Sequence, residues 1–464
     1  MYRPPHRARP GRGLKIVTVI LAIGLIAAVA SLIQTRRQLA GLTGGATTAG
    51  PTGVSGAAAG AEDVSVSLVE GGGGDAPPPP PPPDEAITPS VAAFPPSGSG
   101  DPVPATDGFL RVGRPGVDYT AAYVVDRGSG RVLYEHNAHT PVPTASMAKM
   151  MTSLITMEEI DAGRLTLDDP VTISARSAGM GGSQIYAAQG QVFSVQTLLA
   201  ATMVQSANDA ATALAEKIAG TNEAFAERMN RRARELGLER STFFDPHGLP
   251  SPGRENLMTA RDLAVLGNEL MRYPLMREYA ATSTFPFENA TFTAGMTNPN
   301  FLLRQYDGAY GIKTGYTASA GFSITAAARR GDTDVIAVVT GAATSRGRLS
   351  SFELAGRMID EVFLSWSTVI PMREGDSAGE VVVRDGAVAS VGALVAHDIS
   401  LLLPRGDASG VEWTLEPRPL EAPVSKGDTV GTVIVVSGGT EVARAPALAA
   451  DSVDRRPWWR FWGG

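Results

Sequence analysis

Two short motifs in this 464-residue chain each hold a lysine, and the chain has only five lysines against 35 arginines. Lys149 closes Ser146-Met147-Ala148-Lys149 and Lys313 opens Lys313-Thr314-Gly315, with Ser206-Ala207-Asn208 between them. A guanidinium cannot be deprotonated in a protein, so lysines kept in so arginine-rich a chain point to work that only an amine can do. A serine hydroxyl is a poor nucleophile until a neighbour removes its proton. A lysine amine can remove it once burial and a second cation have lowered its pKa. Ser146 and Lys149 fit that pair, and Lys313 fits the second cation.

That chemistry needs elements to hold the groups together. Residues i and i+3 share a helix face, and Ala145 to Met157 has a helical pattern with Ser146 near its start and Met150, Met151, Leu154 and Ile155 at apolar positions. A single S-x-x-K arises by chance about once in a few hundred residues, and S-x-N alone carries no information. Three motifs in this order, at positions 146, 206 and 313, carry far more.

S-x-x-K, S-D-N and K-T-G form the signature set of penicillin-binding proteins and class A β-lactamases. The chain resembles the low-molecular-mass penicillin-binding proteins, which are serine-type D-alanyl-D-alanine carboxypeptidases, over most of its length. Ala122 to Asn137 (AYVVDRGSGRVLYEHN) is similar to their first hairpin, with Asp126 and Gly128-Ser129-Gly130 at the turn. Pro143 to Thr152 (PTASMAKMMT) resembles the nucleophile helix and Gln205 to Ala210 (QSANDA) the second motif. Thr242 to Leu249 (TFFDPHGL), Thr259 to Asp262 (TARD) and Gly311 to Gly315 (GIKTG) complete the series. Ala207 stands where the family usually has glycine, so an extra methyl must fit a tight loop. The Glu-x-x-Leu-Asn element of class A β-lactamases does not occur between Asn208 and Lys313, which weakens the β-lactamase reading.

The resemblance implies an acyl-enzyme mechanism without metal or cofactor. Ser146 attacks the carbonyl of the penultimate D-alanine, Lys149 is the general base, and Ser206 relays a proton to the departing D-alanine nitrogen. Asn208 holds Lys149 and a substrate amide. Lys313 supplies positive potential, Thr314 binds the terminal carboxylate, and Gly315 lets the substrate backbone lie against the strand. The backbone N–H groups of Ser146 and Tyr316 form the oxyanion site, and Arg348 helps bind the carboxylate. Expected partners are peptidoglycan stem peptides ending in D-Ala-D-Ala, β-lactam antibiotics and the inner-membrane surface.

The ends of the chain predict export to the periplasmic face of the inner membrane. Arg3, Arg7, Arg9, Arg12 and Lys15 precede Ile16 to Ile33, an uncharged, mostly apolar run, with Arg36 and Arg37 after it. Ala28-Val29-Ala30 fits a signal-peptidase site, so a cleaved leader and a retained anchor both suit residues 1–37. Residues 38–107 are rich in Gly, Ala, Pro and Ser, with seven prolines at Pro77–Pro83, and read as a disordered tether spanning on the order of 45 Å. The tail, 449–464, gathers three tryptophans and three arginines after Asp454, a composition suited to a membrane surface.

The predicted fold class is α+β. A catalytic domain over 108–368 has an antiparallel sheet flanked by helices, in the β-lactamase/transpeptidase manner, and a small all-β domain follows over 369–448. Gly321 to Arg329 and Val335 to Gly341 read as a hairpin across Gly331-Asp332. Glu380 to Arg384, Ile399 to Leu403, Val411 to Leu415 and Thr432 to Val436 read as strands of the second domain. The chain has no cysteine, which excludes disulfides and thiol catalysis. Its net charge of −7 becomes more acidic once the cationic N-terminal segment is set aside, which argues against nucleic acid. A D,D-endopeptidase or weak β-lactamase of the same superfamily, and a non-catalytic penicillin-binding scaffold, are the competing readings. The intact Ser146, Lys149, Ser206 and Lys313 set argues against the scaffold. Oligomeric state is not legible in the chain.

Overall fold

A short run of apolar residues buried on both sides, Ala121–Asp126 (β1), anchors the first sheet. It turns through Asp126, whose carboxylate accepts from the Ser129 N–H and hydroxyl, into Val132–His136 (β2). The other three strands are Ala309–Thr317 (β3), Gly321–Arg330 (β4) and Thr333–Ala342 (β5), the last two forming the expected hairpin. The sheet order is β2-β1-β5-β4-β3, all neighbours antiparallel, which leaves β3 at an edge. The structure, a computed structural model, describes residues 109–288, 295–343 and 348–456. The basic N-terminus, the apolar run, the tether and the end of the Arg/Trp tail lie outside the described residues.

Alternate residues of β1 enter different cores. Ala122 and Val124 join a cluster with Leu354, Met358 and Val362 of Ser351–Ser365 (α4), while Ala121, Tyr123 and Val125 join the cluster that holds the helical layer. Two covered faces explain why the strand reads as one apolar run instead of an alternation.

The described chain between β2 and β3 is mainly helical, with short two-stranded ladders between the helices. Lys149–Asp161 (α1) follows a 3-10 turn over Ala145–Ala148, and its residues 149 to 157 are all buried. A helix covered all round lies in the middle of its layer, and this placement dehydrates Lys149 at its first turn. Asn208–Ala219 (α2) and Ala260–Leu270 (α3) pack against α1, with the Thr259 hydroxyl capping α3 through the Asp262 N–H.

The second domain has eight strands: Trp366–Met372 (β6), Ser377–Arg384 (β7), Ser390–Val395 (β8), Ile399–Pro404 (β9), Val411–Pro417 (β10), Leu420–Glu421 (β11), Thr429–Ser437 (β12) and Thr440–Ala449 (β13). Six of them form a sheet in the order β10-β12-β13-β8-β7-β11, and β6 pairs with β9. Four of these strands were expected from sequence. β13 was not, because it is alanine-rich and contains Pro446; Ala445, Ala447 and Ala449 point inward while Pro446 needs no N–H and offers its carbonyl to Ala396. The domain starts at Trp366, before the expected 369. It reaches past 448 into the expected tail, since Val453 bridges to Val424 and Arg455 to Gly386. Against the first domain, Arg131 lies 4.4 Å over the Trp366 ring and donates to the Leu402 carbonyl at 3.0 Å.

Candidate active site

The turn before α1 places Ser146 and Lys149 in contact: Lys149 Nζ is 2.9 Å from Ser146 Oγ and donates to the His247 carbonyl at 2.7 Å. Lys149 is fully buried. Burial drives its amine well below the ordinary lysine range, and the charge of Lys313 pushes the same way, with Asp245 and Asp209 opposing. A neutral amine at this distance can take the Ser146 proton. The pair predicted from the i, i+3 spacing is formed.

From the facing side, Lys313 on β3 donates to Ser206 Oγ at 2.8 Å. Burial brings Lys313 down to about 7, so near neutral pH it exchanges between cation and amine. Ser206 follows a π-helical turn, Ala201–Gln205, and has left-handed backbone, φ 59°. Ala145, just before Ser146, is also left-handed at φ 47°. Non-glycine residues held there cost about 1–3 kcal/mol each and mark places where the surroundings dictate the backbone. Ala207 is extended, φ −66° and ψ 125°, and buried. The expected difficulty of its methyl group does not arise, because the left-handed position falls on Ser206.

Asn208 does not hold Lys149 in this structure. Its Nδ2 donates to the Gly181 carbonyl at 2.6 Å and its backbone N–H to the Ser183 carbonyl, while Oδ1 is buried with no partner among the described residues. The acceptor for Lys149 is the His247 carbonyl instead, because the loop at 245–248 is drawn against α1, with Thr152 Oγ1 donating to the Pro246 carbonyl at 2.6 Å. Gly248 at φ +83° has its α-carbon so near the Ala145 carbonyl that a Cβ would stand 1.9 Å from the oxygen. His247 itself is held down to about 4 by burial, against the pull of Asp245, so its ring is neutral. These loop residues were legible only as a stretch of resemblance; a backbone carbonyl as ligand leaves no side-chain signature.

Gly315 has an internal reason. A Cβ there would meet the Thr144 carbonyl at 2.8 Å and the Ala145 Cβ at 3.2 Å, so β3 presses on the turn that carries Ser146. The expected close approach of substrate does not by itself account for the glycine. Thr314 is half-buried opposite Ile324, and Tyr316 is exposed, its ring stacked on Phe322 at 4.4 Å. Arg348 lies away from this group among its described contacts: it donates to the Val117 carbonyl and stands 3.6 Å from the Asp118 carboxylate.

Residues 110–344 match the D-alanyl-D-alanine carboxypeptidase family, Peptidase S11, and residues 366–455 match the C-terminal domain of penicillin-binding protein 5. The chain belongs to this carboxypeptidase family. It is 32% identical over 338 residues to D-alanyl-D-alanine carboxypeptidase DacF of Bacillus subtilis, covering 72% of this chain and 86% of the relative. It is 34% identical over 350 residues to DacC of Escherichia coli, covering 73% and 85%. Among solved structures, penicillin-binding protein 5 from Haemophilus influenzae superposes with a TM-score of 0.64 at 28% identity, covering 74% of this chain and 99% of that one. The protein is therefore a serine-type D-alanyl-D-alanine carboxypeptidase, and the family implies peptidoglycan D-Ala-D-Ala peptides as substrates and β-lactams as ligands. The catalytic sheet with its helices and the all-β second domain are the architecture expected from sequence.

Proposed function

We propose that Ser146 is the acylated nucleophile of this carboxypeptidase and Lys149 its general base. The observation that carries this is the 2.9 Å contact between Ser146 Oγ and a fully buried lysine whose amine is driven toward neutrality. Ser146 Oγ bonds to the carbonyl carbon of the penultimate D-alanine as its proton passes to Lys149. The oxyanion sits between the backbone N–H groups of Ser146 and Tyr316. As the C–N bond breaks, Ser206 relays the proton held by Lys149 to the departing D-alanine nitrogen, and its hydrogen bond from Lys313 sets the hydroxyl in place. Lys313 and Thr314 hold the terminal carboxylate, and Asn208 Oδ1, buried and unpartnered, accepts from a substrate amide. The substrate lies along the open edge of β3 as an added strand. Arg348 acts on the carboxylate only if it leaves Asp118 when substrate binds. Water then releases the shortened peptide.

The chain works outside the cytoplasmic membrane. The basic residues 1–37 with their apolar run direct export as an anchor or a leader, 38–107 tether the two folded domains, and the Arg/Trp tail rests on the membrane surface. Mass spectrometry of the full-length chain with a disaccharide pentapeptide tests the reading. One D-alanine is lost with the wild type and none with Ser146→Ala. Penicillin acylation of Ser146 without loss of D-alanine, or faster cleavage of cross-linked dimers, would move the activity to an endopeptidase or a binding role. The intact mass of the same preparation shows whether the first thirty residues are retained.

A further inference from the structure

Both halves of the Ser146–Lys149 pair depend on backbone groups, and one side chain joins the segments that supply them. Asn256 is 2% exposed and carries no charge. Its Oδ1 accepts from the Phe244 N–H at 2.7 Å and the Asp245 N–H at 3.3 Å, and its Nδ2 donates to the Asp245 carbonyl at 2.9 Å and to Asp245 Oδ1 at 3.3 Å. Asp245 Oδ1 in turn accepts from the N–H groups of His247 and Gly248, fixing the turn whose His247 carbonyl receives Lys149. The main chain of Asn256 reaches the other way. Its carbonyl accepts from the Thr144 N–H at 3.0 Å and the Thr144 hydroxyl at 3.3 Å, just before Ser146. The next residues pair antiparallel with the same approach to the turn, Leu257 with Pro143 and Met258 with Val142.

We infer that Asn256 is a positioning residue for acyl transfer: it fixes the distance between the base and the nucleophile by tying the carbonyl that holds Lys149 to the turn that presents Ser146. Four side-chain hydrogen bonds to two consecutive residues leave the amide a single orientation, and a primary amide supplies both the acceptor for the two backbone N–H groups and the donors for the Asp245 carbonyl and carboxylate. Aspartate would keep the acceptor and set an oxygen against the Asp245 carbonyl and carboxylate. Alanine would take these partners from the Phe244 and Asp245 N–H groups and from the Asp245 carbonyl. The loop would then move relative to α1, and displacement of about 1 Å between reacting groups is enough to cost about 100-fold in rate.

This inference rests on the assignment of Ser146 and Lys149, and the test separates the two. In the full-length chain, the rate and the stoichiometry of acylation by a fluorescent penicillin are measured for wild type, Asn256→Ala and Asn256→Asp. Failure of the wild type to acylate at Ser146 would defeat the assignment itself. With the wild type acylating, the expected result is a rate about 10- to 100-fold lower in Asn256→Ala at an unchanged amplitude of one penicillin per chain. Asn256→Asp is slowed as well, because its second oxygen faces the Asp245 carbonyl and Oδ1 in place of a donor. A wild-type rate in Asn256→Ala would overturn the inference. So would a loss in both single variants that is entirely a loss of amplitude, which reports fewer folded sites and no change in geometry. If Asn256→Ala does not fold, the rate and amplitude of Asn256→Asp decide.

Discussion

The two domains are both built on antiparallel ladders, yet they bury different things. Among the described residues, the buried polar and charged side chains run from Asp118 to Ser351, and none lies between 366 and 456. The first domain holds Lys149, Asp209, Asp262 and Lys313 in its interior, where each charge costs stability unless it is paired or neutralised. The second holds Val381, Val391, Val430, Val433 and Ala447 in a dry apolar interior. Strain follows the same division: Ala145 and Ser206 carry left-handed backbone at the site itself, and in the second domain only Asp385 does so among non-glycine residues described. A domain that tolerates buried amines and left-handed backbone at Ala145 and Ser206 is one whose surroundings are arranged for chemistry, at the expense of stability.

The sharpest way to probe the first domain is to disturb a backbone approach without touching a polar group. Gly315→Ala places a methyl against the Thr144 carbonyl at 2.8 Å and so parts β3 from the Ser146 turn. Penicillin acylation should slow by about 100-fold, with a stability loss of about 1–3 kcal/mol by thermal melting. A variant of wild-type rate would mean that the strand and the turn can separate without harm, and the contrast between the domains would lose its functional meaning.

A smaller effect comes from pH, because the two lysines act in opposite protonation states. Lys149 must be neutral to accept a proton, so kcat/KM falls on the acid side as it gains one. Lys313 must be charged to hold a carboxylate, so kcat/KM falls on the alkaline side above about 7, by about tenfold per pH unit. Bound carboxylate favours the Lys313 cation, so the alkaline limb of kcat should lie at higher pH than that of kcat/KM. Stability moves the other way. The folded-state pKa of Lys313 lies below its unfolded value, so between about 7 and 10.5 the unfolded chain binds more protons. Stability of the free enzyme therefore rises with pH across that window, by up to about 1.4 kcal/mol per pH unit for this group. Melting curves at pH 7 and 9 check the sign, and Lys313→Met should flatten the rise.

What was legible in the sequence divides along the same line. The S-x-x-K spacing gave the Ser146–Lys149 contact because helix geometry turns a three-residue step into adjacency. The hairpins at Asp126–Gly130 and Gly331-Asp332 were legible because turn residues must supply particular backbone angles or side-chain acceptors. Contacts made by main-chain atoms were not. The His247 carbonyl on Lys149, the Asn256 carbonyl on Thr144 and the left-handed Ser206 depend on how distant segments meet, and no residue type announces them. Arg348 is another such case: its contacts with the Val117 carbonyl and Asp118 join distant segments, and its residue type alone does not point to them. Strand β13 carries no such signal, because its inward positions are alanines, too small to set up an apolar alternation.

The second domain offers the control, with the smallest expected effect on chemistry. Val433 is wholly buried in its core and lies on β12 between β10 and β13. Val433→Ala removes two methyl groups from a packed interior and should cost about 1–3 kcal/mol, read as a lower melting temperature of the full chain. The contacts across the domains include Arg131 with Trp366 and Leu402, Thr368 with Thr333 and Arg405 with Phe363, and none of these is a residue of the site. Acylation by penicillin should therefore stay within about twofold of wild type at temperatures where both proteins are folded. A substantial loss of rate in this variant, at full acylation amplitude, would show that the β domain transmits its packing to Ser146. The two interiors would then have to be treated as one.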